Sequence, residues 1–221
     1  MIRPFGEHGL LVELDGPEAA QALAASLLRE RPAGVAAIVP GLASLLVELE
    51  PMAAANAPSI GEEIEARQRA SDGPPPAGRA RVIPVAYGGA HGPDLDEVAQ
   101  RCGLPPAELV ARHAATELRV LFCGFAPGFA YLGDLPEALR VPRLATPRTT
   151  TPPGSVAIAG AMTGIYPADL PGGWRIIGRT PIALFDPHRE PPAYLAPGDT
   201  VRLEPITVEG WPRAPSAPAD W

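Results

Sequence analysis

The positions of the arginines in this sequence indicate a ligand-binding site. The segment "PRLATPRTTTPPGS", residues 142–155, places Arg143 and Arg148 in a proline-braced loop that ends at a glycine and a serine. Fixed guanidinium groups, backbone N–H groups and hydroxyls bind carboxylates and phosphates. The segment predicts an anion site, with Arg179 of "GRT" as a further candidate. The alternative is that these arginines are solvated surface side chains.

The basic residues also exclude some chemistry. All 18 of them are arginines, so the chain contains no lysine. Without lysine there is no biotinyl-lysine, no Schiff base and no phosphate-binding lysine of a P-loop. The bidentate arginine fork is the cationic group that this chain offers a ligand.

His113 is the candidate for proton transfer. It lies near the end of a predicted helix, where a histidine acts as a general base or a ligand-orienting donor, or has a structural role. The other histidines lack metal-ligand spacing, and we predict no metal site. No GxSxG segment marks Ser155 as a triad nucleophile. Aspartates in or beside predicted turns are expected to cap the backbone: Asp169, Asp186 and Asp199.

Three segments contain two or more glycines: "GFAPGFAYLG" (124–133), "GSVAIAG" (154–160) and "PGGWRIIGRTP" (171–181), and the first and third also contain proline and aromatic residues. Glycine adopts positive φ without penalty and proline restricts φ, so these loops are expected to be fixed in shape. The first is poor material for a helix or a regular strand. Its aromatics are expected to wall a pocket or partner interface, or else to pack in the core.

The segment "SVAIAG" is predicted to be a strand. Alternation along a strand directs Ser155, Ala157 and Ala159 to one face and Val156 and Ile158 to the other. We expect the small face to line a cavity.

Composition narrows the class of protein. The chain has 221 residues, 46% of them hydrophobic, and a formal charge of −7, which argues against a nucleic-acid partner. We expect no membrane helix, because no apolar run reaches about 18 residues, and the start lacks a secretory leader. The expected location is the cytoplasm. The spacing of Cys102 and Cys123 predicts reduced structural thiols.

The first part of the chain predicts an α+β domain. Strands are expected at 9–14, 34–40 and 43–50, and helices at 16–30 and 57–70, the second with Ser59 as a possible N-cap. Residues 71–79, "SDGPPPAGR", have the composition of a linker or long turn. We draw the first domain as 1–85.

The second part predicts a small β-barrel. Helices at 94–103 and 105–115 precede short β-rich runs separated by proline and glycine turns: "RVLFC", "SVAIAG", "RIIGRTP", "IALFD" and "TVRLEPI". This domain is drawn as 86–208. The tail, 209–221, has no periodic pattern and is expected to be disordered unless its tryptophans dock.

Five motifs in order carry a resemblance to a known family: "GFAPGFAYLG", "PRLATPR", "PPGSVAIAG", "TGIYP" and "PGGWRIIGRTP". From the start to about Ile206 the chain resembles the family of the B subunit of prokaryotic ATP-dependent 5-oxoprolinase. That family includes allophanate hydrolase subunit 1, the matching carboxyltransferase region of urea carboxylase and the histidine-kinase inhibitor KipI.

The resemblance implies an α+β domain followed by a cyclophilin-like barrel, and ATP-driven opening of 5-oxo-L-proline to L-glutamate. It also implies partners that resemble the A and C subunits, and ATP with Mg bound by the complex rather than necessarily by this chain. A small anionic or amide substrate is expected, with neither nucleic acid nor membrane. Six residues are assigned to the site: Arg148 and Arg179 for carboxylate or phosphate, Ser155, Tyr166 and Trp174 for pocket shape, and His113 for proton transfer.

The sequence departs from the family pattern at two positions. Met162 stands where the family often has glutamine, and Leu118 where an aromatic is often found. A polar contact at position 162 is therefore not expected. Two alternative functions remain: inhibition of a sensor histidine kinase, and carboxyl transfer to urea or a related amide with a biotin-carrying partner.

Overall fold

A computed structural model describes residues 1–70, 75, 77–207, 211, 218 and 221. These residues form two compact units, Met1–Ala77 and Gly78–Trp221. Most of the predicted linker (71–74 and 76) and of the tail (209–210, 212–217 and 219–220) lies outside the described residues, as does residue 208. No helix in the described part of the chain is long and apolar enough to cross a bilayer.

The first unit is a four-stranded antiparallel sheet with order β1-β2-β4-β3 and two α-helices. Its elements are β1 (Ile2–Pro4), β2 (Gly9–Glu13), α1 (Pro17–Arg29), β3 (Val35–Pro40), β4 (Ser44–Leu49), a 3-10 helix (Pro51–Asn56) and α2 (Ala57–Ala70). Alternation in β2 and β4 buries Leu10, Val12, Leu45 and Val47 against the apolar stripes of α1 and α2.

The second unit contains a closed seven-stranded barrel in the order β10-β7-β6-β13-β5-β12-β9. Its strands are β5 (Ala80–Tyr87), β6 (Leu118–Cys123), β7 (Ala130–Gly133), β9 (Ser155–Ala159), β10 (Met162–Ile165), β12 (Arg175–Arg179) and β13 (Thr200–Ile206). The pair of β5 and β13 is parallel and the other pairs are antiparallel. The predicted barrel is confirmed.

Two helices and a short ribbon accompany the barrel. The helices α3 (Leu95–Cys102) and α4 (Pro106–Ala115) join the barrel core through Leu95, Val98 and Leu109. A two-stranded ribbon pairs β8 (Arg148–Thr151) with β11 (Leu170–Gly172). A one-turn 3-10 helix spans Glu137–Leu139.

The structure differs from the sequence interpretation at several places in the chain. The boundary drawn at residue 85 would cut β5, which lies in the barrel because it pairs with β12 and β13. Ser59 lies inside α2 and donates its hydroxyl to the carbonyl of Asn56 at 3.0 Å, so it caps no N–H group. "IALFD" forms no strand and contributes an isolated bridge between Phe185 and Ala193.

The segment "GFAPGFAYLG" divides in two. Its second half is barrel strand β7, and its first half is a tight turn with Phe125 at φ 70°. Positive φ is costly for a bulky residue, so the surrounding loop must hold Phe125 there. The expectation that the segment contains no regular strand is therefore wrong for Ala130–Gly133.

Candidate functional site

An aromatic cluster centred on Phe129 lies on one side of the barrel wall. The Phe129 ring makes edge contacts with Tyr131, Tyr166 and Trp174 at centroid distances of 4.9, 5.2 and 6.0 Å. This geometry places the positive edge of one ring against the negative face of the next and stabilises the set. The cluster is an apolar surface built from residues that are distant in sequence.

These rings form the wall of a pocket of about 250 Å³. Its lining comes from four of the five motifs: Phe125, Phe129 and Tyr131 of "GFAPGFAYLG", Arg143 and Pro147 of "PRLATPR", Tyr166 of "TGIYP", and Pro171, Gly172, Gly173 and Trp174 of "PGGW". The fifth motif lies behind the wall, where Ala157 and Ala159 pack in the aromatic cluster. Five separate segments thus converge on one site.

The small face of β9 has a different role from the expected one. The predicted alternation of side chains along β9 is confirmed. Ala157 and Ala159 pack with the aromatic cluster, while Val156 and Ile158 join the barrel core. Rings cover the two alanines, so neither lines the pocket. Small side chains here give the aromatic rings room to approach the strand.

Two glycines permit this close packing. A Cβ at Gly164 would lie 2.8 Å from Cζ of Phe129 and 3.0 Å from Cζ3 of Trp174. A Cβ at Gly172 would collide with the Tyr166 hydroxyl oxygen. Both approaches are closer than van der Waals contact, so the wall requires glycine at both positions.

Arg143 is the charged residue of the pocket lining. Its side chain is exposed, and its guanidinium lies 5.9 Å from the Trp174 ring centroid, within cation–π range. Within the described part of the chain no acidic group forms an ion pair with it.

Burial sets the protonation of the two pocket tyrosines. It raises the pKa of Tyr131 and of Tyr166, and the nearby Arg143 guanidinium opposes the rise in both. A hydrogen bond from the Trp174 backbone also acts against the rise at Tyr166. Both phenols therefore stay protonated at neutral pH and can donate hydrogen bonds.

Arg148 lies outside the pocket lining and has two internal partners. One terminal nitrogen is 2.6 Å from Oδ1 of the buried Asp94, and the other donates to the Trp174 carbonyl at 3.3 Å. The second Asp94 oxygen accepts the Ile176 N–H at 2.7 Å. Arg148 thus ties the loop before α3 to the pocket wall.

A second carboxylate–arginine pair lies one helical turn further along the chain, and its arginine also bonds a main-chain carbonyl. Glu97 pairs with the buried Arg175 at 2.7 Å, and Nε of Arg175 donates to the Pro142 carbonyl at 3.0 Å. The Leu144 N–H donates to the Gly173 carbonyl at 2.7 Å. Arg143 lies between Pro142 and Leu144, so hydrogen bonds hold the backbone on both sides of it.

Two further predicted site residues lie together, away from the pocket lining. Ser155 is buried at the start of β9, and Arg179 is opposite it on β12. Nε of Arg179 donates to the Pro153 carbonyl at 2.8 Å, and its guanidinium lies 5.8 Å from the Trp211 ring centroid. Of the six residues assigned from sequence, Tyr166 and Trp174 line the pocket.

His113 is fully buried in α4, and both ring nitrogens have partners. Nδ1 lies 2.9 Å from the Tyr87 hydroxyl and Nε2 lies 2.8 Å from Oγ1 of Thr163. Burial lowers the pKa of His113 to about 4, so the ring is neutral at physiological pH. The ring links α4 to strands β5 and β10, and it does not line the pocket. A proton-transfer role stays a prediction that this burial disfavours.

Sequence reasoning missed Asp94 and ranked Arg143 below Arg148. Asp94 precedes a helix, where a carboxylate ordinarily interacts with helix N–H groups, and its partner Arg148 is 54 residues away. For Arg143 a signal existed, since it shares a proline-braced motif with Arg148. Nothing local indicates which of the two faces the pocket.

Comparison with known proteins agrees with the motifs. Residues 1–195 match the family described as "Carboxyltransferase domain, subdomain C and D". The chain is 44% identical over 210 residues to the 5-oxoprolinase B subunit of Escherichia coli O157:H7, covering 91% of this chain and 94% of that protein. It is 47% identical over 129 residues to the 5-oxoprolinase B subunit of Bacillus subtilis, covering 58% of this chain and 54% of that protein.

Among solved structures, TTHA0988 has a similar fold. It superimposes with a TM-score of 0.79 at 35% sequence identity, over 99% of this chain and 42% of that chain. This chain thus spans less than half of the TTHA0988 chain. The present chain belongs to the carboxyltransferase-domain family of subdomains C and D, and the resemblance given by the motifs is confirmed.

Proposed function

We propose that this chain is the B subunit of an ATP-dependent 5-oxoprolinase, which opens 5-oxo-L-proline to L-glutamate together with partners that resemble the A and C subunits. The observation that carries the proposal is the convergence of four family motifs on one aromatic pocket with one exposed arginine. The similarity to two curated B subunits supports it.

A lactam needs activation because amide resonance makes its carbonyl a poor electrophile. Transfer of the γ-phosphoryl group of ATP to the amide oxygen would provide it: water then adds to the ring carbonyl carbon, the ring C–N bond breaks, and phosphate leaves. The products are glutamate, ADP and phosphate. In this proposal the pocket binds the cyclic amide while these steps occur.

Proton transfer and nucleotide binding are proposed to come from the partners. Among the described residues, the pocket lining contains no histidine, aspartate, glutamate or cysteine, and its tyrosines stay protonated near neutral pH. A pocket of about 250 Å³ is also small beside ordinary ligand sites of about 300–1,000 Å³. We therefore propose that the chain is inactive alone, and that ATP with Mg binds elsewhere in a hetero-oligomer.

The finer structural and cellular statements are proposals too. We propose that the barrel is cyclophilin-like and that the protein works in the cytoplasm. In the described residues no group of three or more histidine, cysteine, aspartate or glutamate side chains could hold a metal ion. Arg148 is proposed to act on ligand binding through the pocket wall, which it contacts at the Trp174 carbonyl, and the roles assigned to Arg179 and Ser155 stay predictions.

The test is reconstitution. This chain is mixed with its candidate A and C subunits, ATP, Mg²⁺ and 5-oxoproline, and glutamate release is measured with each protein omitted in turn. Activity that requires this chain supports the proposal. A verified complex of folded subunits that releases no glutamate would overturn it, and carboxyl transfer and kinase inhibition would be tested next.

A further inference from the structure

We propose that Arg143 binds the carboxylate of the substrate and thereby makes the pocket selective for a cyclic amide that carries one. This inference rests on the proposed function and assigns a role within the same pocket. The sequence assigned a carboxylate or phosphate to Arg148 and Arg179, whereas this inference assigns the substrate carboxylate to Arg143.

The arginines around the site differ in the partners they already have. Arg148 is held by Asp94 and the Trp174 carbonyl, Arg175 by Glu97 and the Pro142 carbonyl, and Arg179 by the Pro153 carbonyl. Arg143 is exposed, and within the described residues its guanidinium forms neither an ion pair nor a hydrogen bond. A guanidinium that is free to form a bidentate pair is what a carboxylate requires.

The position of Arg143 suits a ligand with one charged group and a flat body. Its guanidinium borders aromatic faces, with Trp174 at 5.9 Å, while Phe129 and Tyr131 form more of the wall. A small planar ring can pack on these faces as its carboxylate meets the arginine. The volume of about 250 Å³ fits a metabolite of this size better than a nucleotide.

The lining also supplies neutral donors for the amide. The hydroxyls of Tyr131 and Tyr166 remain protonated, because burial raises the pKa of both. A protonated phenol donates to a carbonyl oxygen without competing for the arginine. One cation and two neutral donors match the carboxylate and the ring carbonyl oxygen of a lactam acid.

The backbone of Arg143 is held in place before any ligand arrives. Arg175 donates to the carbonyl of the preceding residue, and the N–H of the following residue donates to Gly173. Arg175 is itself fixed by Glu97 at 2.7 Å. Because the backbone of Arg143 is already ordered, ligand binding costs less conformational entropy.

The experiment separates charge recognition from pocket shape. In the reconstituted complex, Arg143→Gln is compared with wild type by two constants: the KM when the lactam acid is the substrate, and the inhibition constant of its uncharged carboxamide, 5-oxoprolinamide. We expect the KM to rise by about 10- to 100-fold, because a charge-assisted pair is lost, and the inhibition constant to change by less than about threefold. Arg112→Gln, an equal charge change on the surface of α4, should leave both unchanged.

An unchanged KM, or equal losses for the acid and the amide, would overturn the assignment while leaving the proposed function intact. If the wild-type complex releases no glutamate, the proposed function fails instead. The assignment is then tested on the full chain alone by NMR titration with both compounds. Preference for the acid that disappears in Arg143→Gln supports it, and binding independent of Arg143 or absent at millimolar ligand overturns it.

Discussion

The Arg148 guanidinium donates to the main-chain carbonyl of Trp174 at 3.3 Å, while Asp94 holds its other terminal nitrogen at 2.6 Å. Arg148 therefore links Asp94 to the backbone of the pocket wall, and its role in ligand binding stays a prediction. With the Glu97 and Arg175 pair, it connects the start of α3 to the two loops that carry Arg143 and Trp174.

The first prediction concerns Asp94. Asp94→Asn removes the charge that holds Arg148, and we expect the free energy of unfolding to fall by about 1.5–3 kcal/mol, the range for hydrogen bonds to charged groups. The matched control is Asp96→Asn, an exposed carboxylate in the same helical turn. Urea unfolding of both variants checks this, and equal losses would contradict a specific role for Asp94.

Gly164 provides the second prediction. In Gly164→Ala the new methyl group meets Phe129 and Trp174 at 3.0 Å or less, so we expect a loss of about 1–3 kcal/mol from overpacking. Near-ultraviolet circular dichroism should change as the aromatic cluster shifts. Gly61→Ala in α2 meets nothing within 4 Å and should stabilise the chain by up to about 1 kcal/mol. An unchanged aromatic spectrum in Gly164→Ala would argue against a tightly packed wall.

The third prediction compares two substitutions of Phe125. Its ring is 58% exposed and its φ is 70°, so the ring contributes little to the core while its backbone is strained. Phe125→Gly should be more stable than Phe125→Ala by about 1 kcal/mol, because alanine retains the Cβ penalty at positive φ. Thermal unfolding measures the difference. Equal stabilities would mean that the turn relaxes to negative φ.

His113 gives a prediction of pH dependence. Burial lowers its pKa from about 6.5 to about 4, so the unfolded chain binds the extra proton first as pH falls. This residue's contribution to stability is complete above about pH 6.5 and decreases toward pH 4, by about 3 kcal/mol in total.

The control for this prediction is His113→Gln, which keeps a donor and an acceptor but does not titrate. Urea unfolding from pH 4 to 8 should show a shallower loss for the variant than for wild type. Parallel curves would contradict the assignment. A pH–rate profile of the reconstituted complex adds a second readout, since a proton-transfer role predicts that the variant loses a limb of the profile.

The barrel strands could be predicted because the pattern of apolar residues in a segment reflects which of its faces are buried. The alternation of "SVAIAG" follows from a strand buried on both faces, and the helices show apolar spacing with proline at their starts. "IALFD" has the same composition as a strand, yet in the described part of the chain it forms bridges and no ladder. The local sequence indicates the β propensity of a segment, but it does not indicate whether a partner strand is available.

The sequence was sufficient to predict which motifs form the site, but not which side chains contact one another within it. Arg143 and Arg148 share one loop and one composition, and what separates them is Asp94, far away in sequence. His113 shows the same limit, because its partners Tyr87 and Thr163 lie on two other strands. Such roles are set by barrel closure, which sequence spacing does not encode.

The parallel pairing of β5 with β13 has a consequence for biosynthesis. β13 pairs with β5 along its full length, from Thr200 with Ala80 to Ile206 with Ala86. Translation therefore exposes an open barrel with an unpaired β5 edge until the last strand has left the ribosome. Pairing at such long range is slow and leaves intermediates prone to aggregation, so shortening the chain before residue 206 should yield insoluble protein rather than a smaller domain.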